Sequence, residues 1–431
     1  MVGLIWARGD ESMRFKRAVA AVDVVLCVPL ILAGPQMFPD TPSYVANSIL
    51  RPPLYPLLLD LLGSLALVCA FQVVLCAAAA AWLTFTLKDR LGLPPVLAWL
   101  CHALLLSPLL PFPLITGSIG NAVLSEALAY ALFLAAAAFL VRHATGARPW
   151  DAPVFIGLCG LLTLVRSQFV FLAPAALVVL VQSWSSAAGG SRRRGLALAA
   201  AAAVLAPPML NYGYHRIVNR ASPPGQAGLY LLSYMLYAGE GLETRVRLDP
   251  EQAALLNEAR AAMDAGKLGA WYRYEANASL ANYLDGNYNR ICWGVAAAVI
   301  DRRAGGLSPT EQAAARGRIA ADLAWPLLRA APGAYLKLVA ALVLAKMPFY
   351  LGLFLAFVLA YCAALFVRDR DGAAFAAGSF TLMHFSNVLL VGAFQPLLHR
   401  YIFYTEILQV VALVALVHHL RPVRARAHAK P

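Results

Sequence analysis

Acidic side chains are scarce. Asp and Glu number 22 in 431 residues, against 35 Lys and Arg, and charged residues of both signs make up only 13% of the chain. With 61% hydrophobic residues, the chain is too apolar for a soluble globular protein. Its seven cysteines give no disulfide framework. Cys27, Cys69, Cys76, Cys101, Cys159 and Cys362 fall in apolar runs, and Cys292 stands alone in the large polar segment. No Cys/His spacing suits zinc, no Walker loop or GxGxxG turn is present, and no repeat has a fixed period. No cleavable signal is expected: Arg14, Lys16 and Arg17 precede a first apolar run that is long and lacks an A-x-A-like site.

What the chain has instead is apolar runs of about 20 residues, the length a helix needs to cross ~30 Å of hydrocarbon. The runs predict an all-α polytopic membrane protein with ten spans near 18–34, 65–87, 95–110, 121–141, 153–164, 168–184, 195–212, 348–367, 373–393 and 401–420. The basic residues orient it. Arg8, Arg14, Lys16, Arg17, Lys88, Arg90, Arg142, Arg148, Arg192 to Arg194, Arg368, Arg370, Arg421, Arg424, Arg426 and Lys430 fall on one side, with both termini. The short loops of the other side hold Arg51, Arg166 and Arg400 alone. The net charge of +13 is thus mostly orientation and no nucleic-acid signal; the basic tail also suits membrane lipid. Three regions follow: a membrane module over 1–213 with a first outer loop at 35–64, an extracytoplasmic loop domain over 214–347, and C-terminal helices with a basic tail over 348–431.

The first outer loop organises the rest. Thr41-Pro42 reads as a helix start, with Thr41 as cap, and Arg51-Pro52-Pro53 as its stop. A short helix from Pro42 to about Leu50 then carries Asp40 at its entry and Arg51 at its exit. Span four begins at Asn121, a plausible cap, with Glu126 inside it. A carboxylate in a span is costly and faces either a wet cavity or a partner such as Arg166. Arg166 keeps its charge at the break between spans five and six, where it suits an anionic phosphate or a structural pair. His399, Arg400 and Tyr401 stand at the mouth of span ten. In the loop domain, 249–278 and 308–330 read as helices, the second with Glu311 in a capping-box position, and 332–346 as an interfacial helix bearing Lys337 and Lys346. Trp271 to Tyr274 and Asn282 to Arg290 are rich in aromatics and amides, which stack on sugars or simply pack.

Pro39-Asp40, Tyr44 and Arg51-Pro-Pro-Leu-Tyr-Pro56 after span one, Leu124-Ser-Glu126, Leu164-Val-Arg166 and Arg400-Tyr401 recur in one order and on one side. In these features the chain resembles the GT-C-fold glycosyltransferases, the class that holds protein O-mannosyltransferases and the aminoarabinose transferase of lipid A. The resemblance implies a GT-C-like bundle in a bacterial cytoplasmic membrane. It implies transfer of a sugar from a polyprenyl-phosphate donor to a protein, lipid or glycan acceptor on the outer face. On that footing Asp40 is the general base, and Glu126 orients the acceptor or, with Asp40, holds the divalent metal that some members need. Arg166 and Arg400 bind the donor phosphate, with Arg51, Lys346 and His399 behind them, and Tyr44, Tyr55 and Tyr401 line the substrate cavity. Two other classes share the gross features. An O-antigen ligase or polymerase would place its acid in the large loop. A lipid-linked sugar transporter or flippase would show paired repeats with broken helices, and none is seen.

The charge bias predicts that a topology reporter inserted near Gly266 is active only outside the cytoplasm; activity on the cytoplasmic side contradicts the orientation.

Overall fold

In the computed structural model the described residues are 2–110, 118–146, 148–186, 190–223, 225–239, 241, 246–394 and 399–428; the side chains of 2–10, 192, 399–401 and 421–428 lie outside the description. The chain is all-α. Its helices are α1 (Val2–Ala33), α2 (Thr41–Val45), α3 (Leu54–Leu62), α4 (Leu65–Leu91), α5 (Pro95–Leu106), α6 (Glu126–Ala144), α7 (Asp151–Val165), α8 (Ala173–Ser185) and α9 (Gly190–Val218). The polar segment and C-terminal part add α10 (Ala227–Ala238), α11 (Pro250–Ala265), α12 (Leu280–Asn289), α13 (Ala298–Arg303), α14 (Pro309–Ala330), α15 (Pro332–Lys346), α16 (Phe349–Asp369), α17 (Gly372–Phe394) and α18 (His399–His428). Among the described residues the only β-type pairing is an isolated parallel bridge between Gln36 and Ala122.

Among the described residues seven helical stretches are long and apolar enough to cross a membrane: Leu65–Leu91, Glu126–Ala144, Ser167–Ser185, Arg193–Val218, Phe349–Asp369, Gly372–Phe394 and Ile402–Leu420. This is the architecture of a multi-pass membrane protein, and each stretch overlaps one of the ten runs in the sequence. The other three runs form helices that miss the mark for a simple reason. The apolar end of α1 carries Lys16, Arg17 and Asp23, α5 has 12 residues and α7 has 15. At 1.5 Å per residue a 15-residue helix covers roughly 22 Å, short of the hydrocarbon core. The pair α14 and α15 bends by 97° at Ala331.

Helix α4 packs on α1, α5 and α6, α7 packs on α6 and α9, and α17 packs on α16 and α18. A second core fills the polar segment. Its centre is α10, whose residues from Gly228 to Tyr237 are nearly all buried. A helix apolar on all sides must be enclosed, and α10 is enclosed mainly by α14 and by the π-helical turn Arg290–Ala297. The expected helix at 308–330 is α14, and its capping box is present: Ser308 accepts from the Glu311 backbone N–H while the Glu311 carboxylate accepts from the Ser308 N–H.

Several of the expected basic residues, Lys16, Lys88 and Arg142 among them, gather at one end of the bundle. Lys16 pairs with Asp89 at 3.3 Å, Lys88 lies over the Phe15 ring, and Arg142 pairs with the buried Asp151 at 2.9 Å. Gly372, beside Arg370, touches the backbone of Ala144 at this same end. The loop between α1 and α4, the start of α6 and the end of α7 meet at the opposite end.

Candidate functional site

The site begins with backbone pairing. After α1 the chain runs beside residues 121–125: the Gln36 N–H donates to the Asn121 carbonyl at 2.8 Å and the Val123 N–H to the Gln36 carbonyl at 3.0 Å. Side chains extend the seam. Thr41 Oγ1 donates to the Val123 carbonyl at 3.0 Å, and the Tyr44 and Ser125 hydroxyls are 2.9 Å apart. Gln72 Nε2 reaches both the Leu124 carbonyl and the Tyr55 hydroxyl at 3.1 Å. Two expectations change here. Thr41 is not a free cap, since its hydroxyl accepts from the Phe38 N–H and donates to Val123, and the helix it opens is five residues long rather than reaching Leu50. Asn121 does not cap α6. Its amide donates to the carbonyls of Leu30 and Gly34 and closes the end of α1, so α6 starts only at Glu126.

The seam brings two ion pairs to one place. Arg51 Nη2 donates to Asp40 Oδ1 at 2.8 Å and Nε to Ser43 Oγ at 2.7 Å, and the guanidinium lies 4.4 Å from the Tyr44 ring centre. The positive charge facing Asp40 is therefore the Arg51 side chain more than the short helix α2. Burial alone would lower the Arg51 pKa, but Tyr44 and Asp40 outweigh it and raise it. Behind Tyr44, Arg166 Nη1 sits 2.6 Å from Glu126 Oε1, with side-chain exposures of 11% and 7%. The contact is a close charge pair more than an aligned hydrogen bond, and Glu126 Oε2 is buried without a hydrogen-bond partner among the described residues. Helix ends favour both charges: Glu126 opens α6 and Arg166 follows the last residue of α7. Burial raises the Tyr44 pKa, opposed by Arg166 and Arg51, so Tyr44 stands as a neutral hydroxyl between the pairs. Tyr55 is fully buried, raised by burial too, and packs edge-on against Tyr44 at 5.1 Å.

The end of α9 clamps the loop from above. Tyr214 donates to Asn47 Oδ1 at 2.8 Å. His215 Nε2 lies 3.0 Å from the Arg51 carbonyl and its Nδ1 2.8 Å from Asn219 Nδ2. A carbonyl accepts only, so Nε2 carries the proton and Nδ1 accepts.

Two cavities adjoin at Pro52 and Ser167, and Arg51 lines one of them. The more polar one, of about 450 Å³, is lined by Arg51, Ser167, Gln168, Asn211 and Tyr230 together with apolar residues such as Ile49, Leu50, Val170, Leu390 and Phe394. An apolar one of about 600 Å³ runs between α7, α8 and α9, past Cys159, Thr163, Ala176, Leu180 and Ala203. Both are lined by Pro52, Ser167, Val170 and Asn211, so the groove opens into the polar chamber.

Of the expected site residues, Asp40, Tyr44, Arg51, Tyr55, Glu126 and Arg166 stand together. Of these six only Arg51 lines a cavity; Lys346 ends α15, apart from them, and also lines neither cavity. His399, Arg400 and Tyr401 form the first turn of α18, but their side chains lie outside the described residues. Ser43, Asn211, His215 and Tyr230 also stand at the site, and their only signal in the sequence is a polar or aromatic residue near the end of an apolar run. Asp40 and Glu126 do not form a metal-ligand set. Each faces a guanidinium, and no group of three His, Cys, Asp or Glu side chains exists among the described residues. The chain matches no protein-family model, no curated protein and no solved structure.

Removing one partner of a buried pair strands the other charge at a cost of ~3–5 kcal/mol. Glu126→Gln and Arg166→Met are each expected to lower thermal stability in detergent strongly, and the double variant Glu126→Leu/Arg166→Met to recover much of the loss. Additive losses in the double variant contradict a pairing role.

Proposed function

We propose that the chain is a membrane glycosyltransferase that takes a sugar from a polyprenyl-phosphate donor on the outer face of a bacterial cytoplasmic membrane, as the GT-C resemblance implies. The observation that carries this reading is the junction of the two cavities. An isoprenoid tail needs an apolar groove reachable from lipid, and its phosphate needs cations at the groove's end. The groove between α7, α8 and α9 ends at Pro52 and Ser167, next to Arg51 and Arg166 in sequence.

In this reading Arg51 and Arg166 offer planar N–H forks to the phosphate. Gln168, Ser167 and Asn211 line the chamber where the sugar sits. The acceptor hydroxyl oxygen forms a bond to the anomeric carbon. The bond from that carbon to the phosphate oxygen breaks, and its electron pair leaves with the phosphate. The acceptor's proton passes to Asp40, whose side chain keeps 37% of its surface exposed. Arginines already held in place stabilise the charge that grows on the leaving phosphate without reorganising. Glu126 holds Arg166 in position.

Asp40→Asn keeps an oxygen for Arg51 but removes the base. Turnover of a radiolabelled polyprenyl-phosphate sugar by the purified protein is expected to fall about 100-fold or more, with donor binding unchanged. Transfer at a near wild-type rate removes Asp40 from the chemistry.

A further inference from the structure

A third cavity, of about 690 Å³, lies against α14 and shares Pro223, Gly225, Ala227 and Phe394 with the polar chamber. Its α14 wall is one face of the helix: Ala314, Gly317, Arg318, Ala321, Asp322 and Trp325 follow at the three- and four-residue steps that align side chains. The opposite face, including Leu323, Ala324 and Leu327, is buried in the second core. The floor is made of small residues. A Cβ at Gly228 would stand 2.6 Å from the backbone of Ala321, so α10 and α14 touch there and the larger side chains stand clear above the contact.

Trp325 is 52% exposed. Arg318 and Asp322 are exposed on the turns before it and make no hydrogen bond or ion pair among the described residues. Their neighbour Arg316, by contrast, is bound to Asp301. One aromatic face, one multiple donor and one acceptor line the same space, which is large enough for a ligand of several rings. A polyol ring answers all three: its C–H face covers the indole, and its hydroxyls donate to the carboxylate and accept from the guanidinium.

We infer that this cavity binds an oligosaccharide, and that it is the acceptor's seat. The acceptor role rests on the transferase reading above; a saccharide held on α14 presents its end to the polar chamber through the shared wall at Gly225 and Phe394. The aromatic clusters at Trp271 to Tyr274 and Asn282 to Arg290 line none of these cavities.

The test reads binding without turnover. Full-length protein in detergent is applied to an array of immobilised oligosaccharides covering neutral hexoses, deoxyhexoses and uronic acids. The wild type is expected to hold at least one member. Trp325→Ala is expected to weaken that binding about tenfold, Trp325→Phe to keep most of it, and Asp322→Asn to weaken it while leaving binding of the polyprenyl-phosphate donor intact. A folded wild type that holds no saccharide, or a Trp325→Ala protein that binds as the wild type does, overturns the proposal. A Trp325→Ala protein with reduced folded yield but unchanged binding per folded molecule makes Trp325 a membrane-interface anchor and also overturns it. Array binding without sugar transfer from any lipid donor sinks the transferase reading and leaves the saccharide site standing.

Discussion

The short seam between residues 34–44 and residues 121–125 governs the geometry of everything at this end of the molecule. Backbone bonds from Gln36 to Asn121 and Val123 set its register. Thr41, Gln72 and Asn121 then donate to main-chain carbonyls along it, and the Tyr44 hydroxyl pairs with Ser125 Oγ. A seam among apolar helices has little water to replace lost partners, so each bond is expensive to break. Its consequence is that Asp40 and Arg51, from the loop, are held beside Glu126 and Arg166, from two different helices. Arginine forks fixed in advance by Ser43, Asp40 and Glu126 lose little entropy on meeting a phosphate.

The polar pairs also explain why the groove stops where it does. Helix α7 ends at Val165, Arg166 is extended, and a 3-10 turn from Ser167 to Leu172 leads into α8. That break leaves α7, α8 and α9 apart enough for a cavity lined by Gly160, Thr163, Ala173, Ala200 and Ala203, small side chains that leave room. Where Gly160 meets Ala203, a Cβ would sit 2.7 Å from the Ala203 Cα, so the helices close at that level and part around it. A charge at the break and a slot beside it are two results of one interrupted helix.

Much of this was legible in the sequence because the bilayer is a severe solvent. The seven long apolar helices follow from run length, and Glu126 and Arg166 announce themselves because charges in apolar runs require a partner. Asp40 and Arg51 were visible as the two charges bracketing a proline-bounded stretch. The start of α6 was not legible: Asn121 has the chemistry of a cap, and only the long-range pairing with Gln36 diverts its amide to α1. Asn211, Tyr230 and Trp325 were not legible for a related reason. Amides and aromatics are common at helix ends, and only their convergence on a cavity sets them apart. The short helices α5 and α7 show the limit of counting apolar residues, since both runs are apolar enough but end early at prolines or at Arg166.

The central claim is that the slot between α7, α8 and α9 holds an isoprenoid tail whose phosphate lies at Arg51. Photo-crosslinking with a polyprenyl phosphate carrying a diazirine on its tail tests this directly. The account predicts labelled peptides from Ile156–Thr163, Ala176–Leu180 and Ala200–Val204, with labelling abolished by excess unlabelled polyprenyl phosphate but not by phospholipid. Labelling confined to other lipid-facing helices such as α16, or equal competition by phospholipid, would contradict it.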